Sequence, residues 1–250
     1  PREVLTADRT YYVRTDGSDS NNGLSNNAGG AFLTIQKGID AAAALDLNGF
    51  TVTIQVADGT YTEAVSVSRP FLNGTVNLVG NTATPANCVI SRPSGACIAV
   101  ANYARLSVGG FKLVNTGAIG LYANTYGTIS LSGAMDFGAC GSVQVYCTTN
   151  GTINLLQNYT ISGGAQYHLS LVTFSTVNAY NRTITLTGTP NLSVALIKAD
   201  NLSFVYIFST TFSGSATGKR WLSDRNSIIQ TGSGGSSTYL PGNTNGGPIT

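Results

Sequence analysis

One short phrase recurs along this chain at a nearly constant interval, reading FTVTI, GTVNL, ARLSV, GTISL, GTINL, STVNA and DNLSF in one-letter code. Its central apolar residue falls at Val52, Val76, Leu106, Ile129, Ile153, Val177 and Leu202, with gaps of 24, 30, 23, 24, 24 and 25 residues. Each copy alternates apolar and polar side chains, the period of a strand with one buried face. A single such coil cannot bury its apolar face by itself, so a period in the twenties calls for copies stacked into a solenoid. Parallel pairing of like residues from coil to coil is therefore expected over about seven coils.

Composition agrees with an all-β chain. Only 10% of the 250 residues are charged, and Gly, Ser, Thr and Asn fill much of the remainder, so helix formers are scarce. A formal net charge of +2, with 13 scattered Lys and Arg residues, provides no field able to hold a phosphate backbone, which argues against nucleic acid as a partner. The apolar runs, such as residues 41–45, fall far short of the roughly 20 residues that span a bilayer, so membrane insertion is not expected. A start without Met leads to the expectation of an upstream domain. Cys88, Cys97, Cys140 and Cys147 lack CxxC spacing, leaving buried thiols, one or two disulfides or a metal site as their readings.

Three segments are expected: an N-terminal unit over 1–48, the β-helix over 49–217 and a tip over 218–250. In the first, Tyr11 to Val13 is strand-prone and residues 16–30 are rich in turn formers. Thr34 can cap a helix over 34–47 whose Ile35, Ile39, Ala42 and Ala43 share a face. Such a helix laid across the first coil would cover its unpaired edge. Most coils add a second strand seven or eight residues after the first, at Lys112, Asp136, Tyr159 and Thr183. Asn124, Asn150 and Asn201 mark corners where Asn tolerates a left-handed backbone. The longest gap implies a loop within 82–95, near Pro85 and Pro93. The repeat fades after Phe212, and the glycine-rich end reads as a flexible tail or as a piece ordered by packing against something larger.

YYVRTDGSDSNNG, AFLTIQKGIDAA and TIQVADGTYTEAV resemble the opening of right-handed parallel β-helix proteins of the pectin-lyase-like superfamily. GKRWLSDRNSIIQTGSGGSSTYLPGNTNGG is similar to the C-terminal segments of bacteriophage and prophage tail fibre and tailspike proteins. The resemblance implies a right-handed helix sense and a parallel homotrimer in a virion or phage-derived particle, beside other tail proteins and assembled in bacterial cytoplasm. It also implies adsorption to a bacterial surface polysaccharide.

Sugar-cleaving β-helices need clustered acids and bases, and this chain offers few. Between Cys97 and Thr217 only Asp136 and Asp200 are acidic, and the repeat register puts them on different parts of coils well apart. Glu63, in TYTE, and His168, the only histidine, complete the weak catalytic candidates; each reads more readily as a structural residue. Asp16, Asp19 and Asn21 have oxygen ligands at alternating positions, yet Asx turns explain them, so neither a metal nor a cofactor is expected. Tyrosines recur along the coils, and a sugar ring offers an apolar face to stack on them and hydroxyls for Thr, Ser and Asn to bond. Tyr122, Tyr126, Tyr146, Tyr180 and Tyr206, with Trp221 and Arg220 near the tip, are the binding candidates. The leading expectation is a receptor-binding or structural domain without catalysis; the alternatives are a polysaccharide lyase or hydrolase with a site shared between chains, and a bacterial surface adhesin.

Overall fold

The structure, a computed structural model, describes residues 1–232 and 238–247. It is an all-β, right-handed parallel solenoid of about eight turns. Three parallel sheets run along it. Sheet I has nine strands, from Arg9–Val13 to Ile228–Gln230; sheets II and III have seven each, beginning at Gly59–Tyr61 and Val65–Val67. A representative turn contributes Thr128–Leu131 to sheet I, Met135–Cys140 to sheet II and Val143–Cys147 to sheet III. Nine strands about 4.8 Å apart give sheet I a length of ~38 Å.

The ladder inside sheet I is built from the repeated phrase. Val52 lies beside Val76, Leu106 beside Ile129, Ile129 beside Ile153 and Ile153 beside Val177. Leu202 corrects the expected series: the partner of Val177 is Val205, and Leu202 stands at a corner with a φ of 58°. The cause is a longer turn upstream. Sheet III moves by 28 residues between Tyr167 and Ala195, against 24 between Val143 and Tyr167, because the chain loops out around Gly188, Thr189 and Pro190.

The ladder also extends beyond the seven expected copies. Arg9–Val13 pairs with Thr51–Val56 at one end, and Ile229 continues from Val205 at the other. Sheet III likewise continues through Thr217–Ser223, which carries Trp221. Residues 238–247 fold back on this last turn: Thr244 and Gly247 bridge to Lys219 and Leu222, and Leu240 is buried. The rest of the glycine-rich end, 233–237 and 248–250, lies outside the described residues.

The helix α1 spans Ile35–Ala43, capped by Thr34, whose hydroxyl accepts from the Lys37 amide. It buries Ile35, Gly38, Ile39 and Ala42 and packs on Arg9–Val13, Thr51–Val56 and Val65–Val67. It stops short of the expected 34–47 because Leu45 and Leu47 are buried at a spacing of two, in extended chain where Asp46 bridges Val4 and Leu72. Gln36 turns its amide onto the edge strand of sheet III, accepting from the Ser66 amide and donating to the Ser66 carbonyl. The six-residue excess before Leu106 appears as a short 3-10 turn at Pro85–Asn87 lying over sheet II.

Candidate functional site

The turn from sheet III into sheet I has an uncommon backbone. Six successive corners place two adjacent residues at positive φ: Asn102 and Tyr103, Thr125 and Tyr126, Thr149 and Asn150, Thr173 and Phe174, Asn201 and Leu202, Arg225 and Asn226. At four of them the next amide closes back over the pair, as from Gly127 to the Asn124 carbonyl at 2.7 Å, which is the type I′ arrangement. The corners then bond to one another, Tyr103 N–H to Thr125 O and Tyr126 N–H to Thr149 O, both at 3.2 Å. Stacked turns of this kind push the second residue outwards. Tyr103, Tyr126, Phe174 and Leu202 are consequently exposed, at 63%, 47%, 54% and 41%. The rings of Tyr103 and Tyr126 lie parallel, with centroids 4.7 Å apart.

Beside this corner the outer face of sheet I carries two rows of small polar residues. Thr75, Arg105, Thr128, Thr152 and Thr176 form the nearer row, and Asn77, Ser107, Ser130, Asn154 and Asn178 the farther one. The farther row is tied along its length, Asn154 Nδ2 donating to Ser130 Oγ and Asn178 Nδ2 to Asn154 Oδ1. A groove of about 440 Å³ crosses both rows, lined by Thr75, Arg105, Ser107, Thr128, Ser130 and Asn154. The face becomes apolar further on, at Phe204, Tyr206 and Ile228.

None of the binding candidates lines this groove, and Tyr126 comes nearest in the chain, at the corner two residues before Thr128. Tyr122 and Tyr146 stack on each other on sheet III, 5.2 Å between centroids. Tyr180 stacks on Phe208 beyond the far edge of sheet I. Tyr206 is near the C-terminal end, and Trp221 and Arg220 belong to sheet III, where Arg220 holds the returning segment through Leu240 O and Asn245 Oδ1. The structure therefore spreads these residues over several faces. Arg105 and the threonine row were missed, since nothing local distinguishes an outward Thr in a groove from any other solvated strand residue; Phe174 was missed because no Gly or Asn announces its half of the corner.

The weak catalytic candidates lie apart, each with its own partners. Glu63 accepts the Ile35 and Gln36 amides at 2.7 and 2.8 Å, and desolvation raises its pKa. Its carboxylate thus closes the N-terminus of α1, together with Asp19, which accepts Leu33 N–H, Thr34 N–H and the Thr34 hydroxyl. Asp136 lies 3.2 Å from Lys112 on sheet II. Asp200 sits at the sheet III corner against Arg225, 3.0 Å away. His168 is fully inside: Nδ1 meets Gln144 Oε1 at 2.8 Å and Nε2 meets the Tyr159 hydroxyl at 2.9 Å. The Gln144 amide donors are already committed, its Nε2 giving hydrogen bonds to the Phe137, Gly138 and Gly163 carbonyls, so its Oε1 must accept. That fixes the proton on Nδ1 and leaves Nε2 to accept from Tyr159. Burial drives the His168 pKa down to about 3.

Asp16 pairs with Arg14, and Asn21 donates to the Ala28 and Ala31 carbonyls. Among the described residues no three His, Cys, Asp or Glu side chains form a group that could hold a metal ion, and no helix is long and apolar enough to cross a membrane. All four cysteines are free and buried, and burial pushes the Cys88 thiol up to about 12 and Cys97 to about 11. The molecule is thus a parallel β-solenoid with a polar groove beside a stacked aromatic corner. No protein-family model, curated protein or solved structure matches the chain.

Proposed function

We propose that this solenoid binds glycan without cleaving it, as a receptor-binding or structural part of a tail fibre or tailspike. The observation that carries the reading is the parallel Tyr103–Tyr126 pair, exposed at the corners two residues before Arg105 and Thr128, which line a groove of hydroxyls and amides. Aromatic faces take the apolar side of a sugar ring, and the hydroxyl rows supply both donors and acceptors for its polar edge. Successive strands about 4.8 Å apart present these groups at an interval comparable to one sugar ring, so an oligosaccharide lying along the solenoid would meet equivalent contacts in turn. The groove lining includes no carboxylate, and acid catalysis of glycoside cleavage uses a pair.

Binding of purified bacterial surface polysaccharides, measured by calorimetry, tests the reading. Tyr126→Ala is expected to weaken binding by about tenfold, within the usual worth of a stacked ring. Unchanged affinity in a folded Tyr103→Ala, Tyr126→Ala double variant would remove the reading. The same proposal includes a homotrimer, for which the apolar outer face at Phe204, Tyr206 and Ile228 offers a contact surface. Light scattering should then give about three times 25.8 kDa, and a clean monomer would discard that part.

A further inference from the structure

Arg105 interrupts the threonine row of sheet I. Thr75 stands one coil before it and Thr128 pairs with it directly in the next coil. Its guanidinium is exposed and meets no carboxylate or carbonyl among the described residues. Four other arginines are differently placed: Arg9, Arg14 and Arg225 lie on Glu3, Asp16 and Asp200, and Arg220 is bonded to the Leu240 carbonyl. No Asp or Glu lines the groove, so Arg105 is its single uncompensated charge.

We infer that the groove selects an acidic glycan, with Arg105 holding the carboxylate of a uronic or sialic acid unit; this rests on the glycan-binding reading of the same site. A planar guanidinium matches a planar carboxylate through two parallel hydrogen bonds, which a hydroxyl-only row cannot provide. One cation balances one singly charged carboxylate, whereas a phosphate monoester would leave charge uncompensated. Thr128 and Ser107 flank the cation along and across the sheet, in position to bond hydroxyls of the same sugar. Tyr103, two residues before Arg105, and Tyr126, two before Thr128, place the stacked rings beside it for a neighbouring unit. Charge and stacking therefore act on adjacent sugars, and each can be removed separately.

The test uses the full chain with hyaluronan, polygalacturonate and polysialic acid, each beside its carboxyl-reduced form, and calorimetry as the readout. At least one acidic polymer is expected to bind about twofold to fivefold more tightly than its reduced form at low salt, the range of an exposed charge pair. Arg105→Gln should abolish that difference, so that the acidic polymer and its reduced form bind the variant alike, and added salt should weaken the wild type more than the variant. Tyr126→Ala should weaken both forms. Equal binding of acidic and reduced polymers by the wild type, or a preference that survives Arg105→Gln, would overturn the inference and leave the glycan reading standing. Absence of binding to every polymer in both forms would overturn the two together. Equal melting temperatures for the variants and the wild type verify that each is folded.

Discussion

Tyr126 and Phe174 occupy left-handed backbone, at φ values of 61° and 58°, where a bulky side chain costs about 1 kcal/mol or more. The equivalent corner one coil on from Tyr126 uses Asn150, which tolerates that conformation at less cost. Phe174 has no stacking partner recorded among the described residues and is more than half exposed, so replacing it discards little packing. Phe174→Asn is accordingly expected to stabilise the protein by about 1 kcal/mol and to raise the melting temperature by about 2–4 °C. Calorimetric melting checks this, and a fall in Tm would show that the corner is not strained. His168 makes the opposite kind of statement, about a group whose charge the fold forbids. Its folded pKa of about 3 lies below the ordinary value of 6.5, so between those values the unfolded chain binds a proton that the folded chain does not. Stability from this residue is complete above about pH 6.5 and is lost as pH falls, by about 2 kcal/mol at pH 5. Glu63, with its raised pKa, titrates in the opposite sense and moderates the sum. Melting between pH 7 and pH 5 should show a smaller decline in His168→Gln than in the wild type, although the variant starts lower because Tyr159 loses its acceptor. Identical slopes would mean that His168 is not held neutral.

At the scale of strands and helix, legibility in the sequence depended on whether one face is wet. Sheet I alternates because its outer side meets solvent, so phrases such as TVTI and GTINL announce strand and register together. Sheet III does not alternate. Val143–Cys147 and Ala165–Leu171 are buried at most positions, and Gln144 and His168 turn inwards where sheets II and III meet, so no period of two survives. The corners were half legible: of the three expected at Asn, Asn150 and Asn201 have positive φ, whereas at Asn124 the left-handed pair is the next two residues, Thr125 and Tyr126. Tyr103, Tyr126 and Phe174 take the same conformation with side chains that give no such signal. For the candidate site, Tyr126 was accessible to reasoning from type alone, but its stacking on Tyr103 depends on two corners meeting one coil apart. The N-terminal helix shows the converse. Its start was plain from Thr34, whereas the two carboxylates closing it, Asp19 and Glu63, come from loops 15 residues before and 28 after.

Across the whole molecule, each turn touches only its neighbours, so stability is the sum of turn-to-turn terms and the ends are the weakest places. The C-terminal end is closed by a returning segment fastened at Tyr239. The Tyr239 hydroxyl accepts from the Thr210 amide and donates to the Ile207 carbonyl, both at 2.7 Å, while its ring meets Phe212 edge-on at 5.7 Å. Removing this side chain by Tyr239→Ala leaves two backbone groups of the last turn without partners and uncovers Phe212, a loss of about 2–4 kcal/mol. Because that loss acts on one turn, opening should be local. Hydrogen exchange is expected to speed up in Phe204–Tyr206, Thr211–Ser213, Thr217–Ser223 and Ile228–Gln230, with protection in Thr51–Val56 and Thr75–Val79 unchanged. Faster exchange in all turns alike would instead mean that the stack opens as one cooperative unit. The distinction bears on the groove, which lies between Thr75 and Asn154, several turns from the fastening. If opening is local, the proposed glycan binding should be the same in Tyr239→Ala as in the wild type even while the last turn frays; if it is cooperative, binding and protection should fall together.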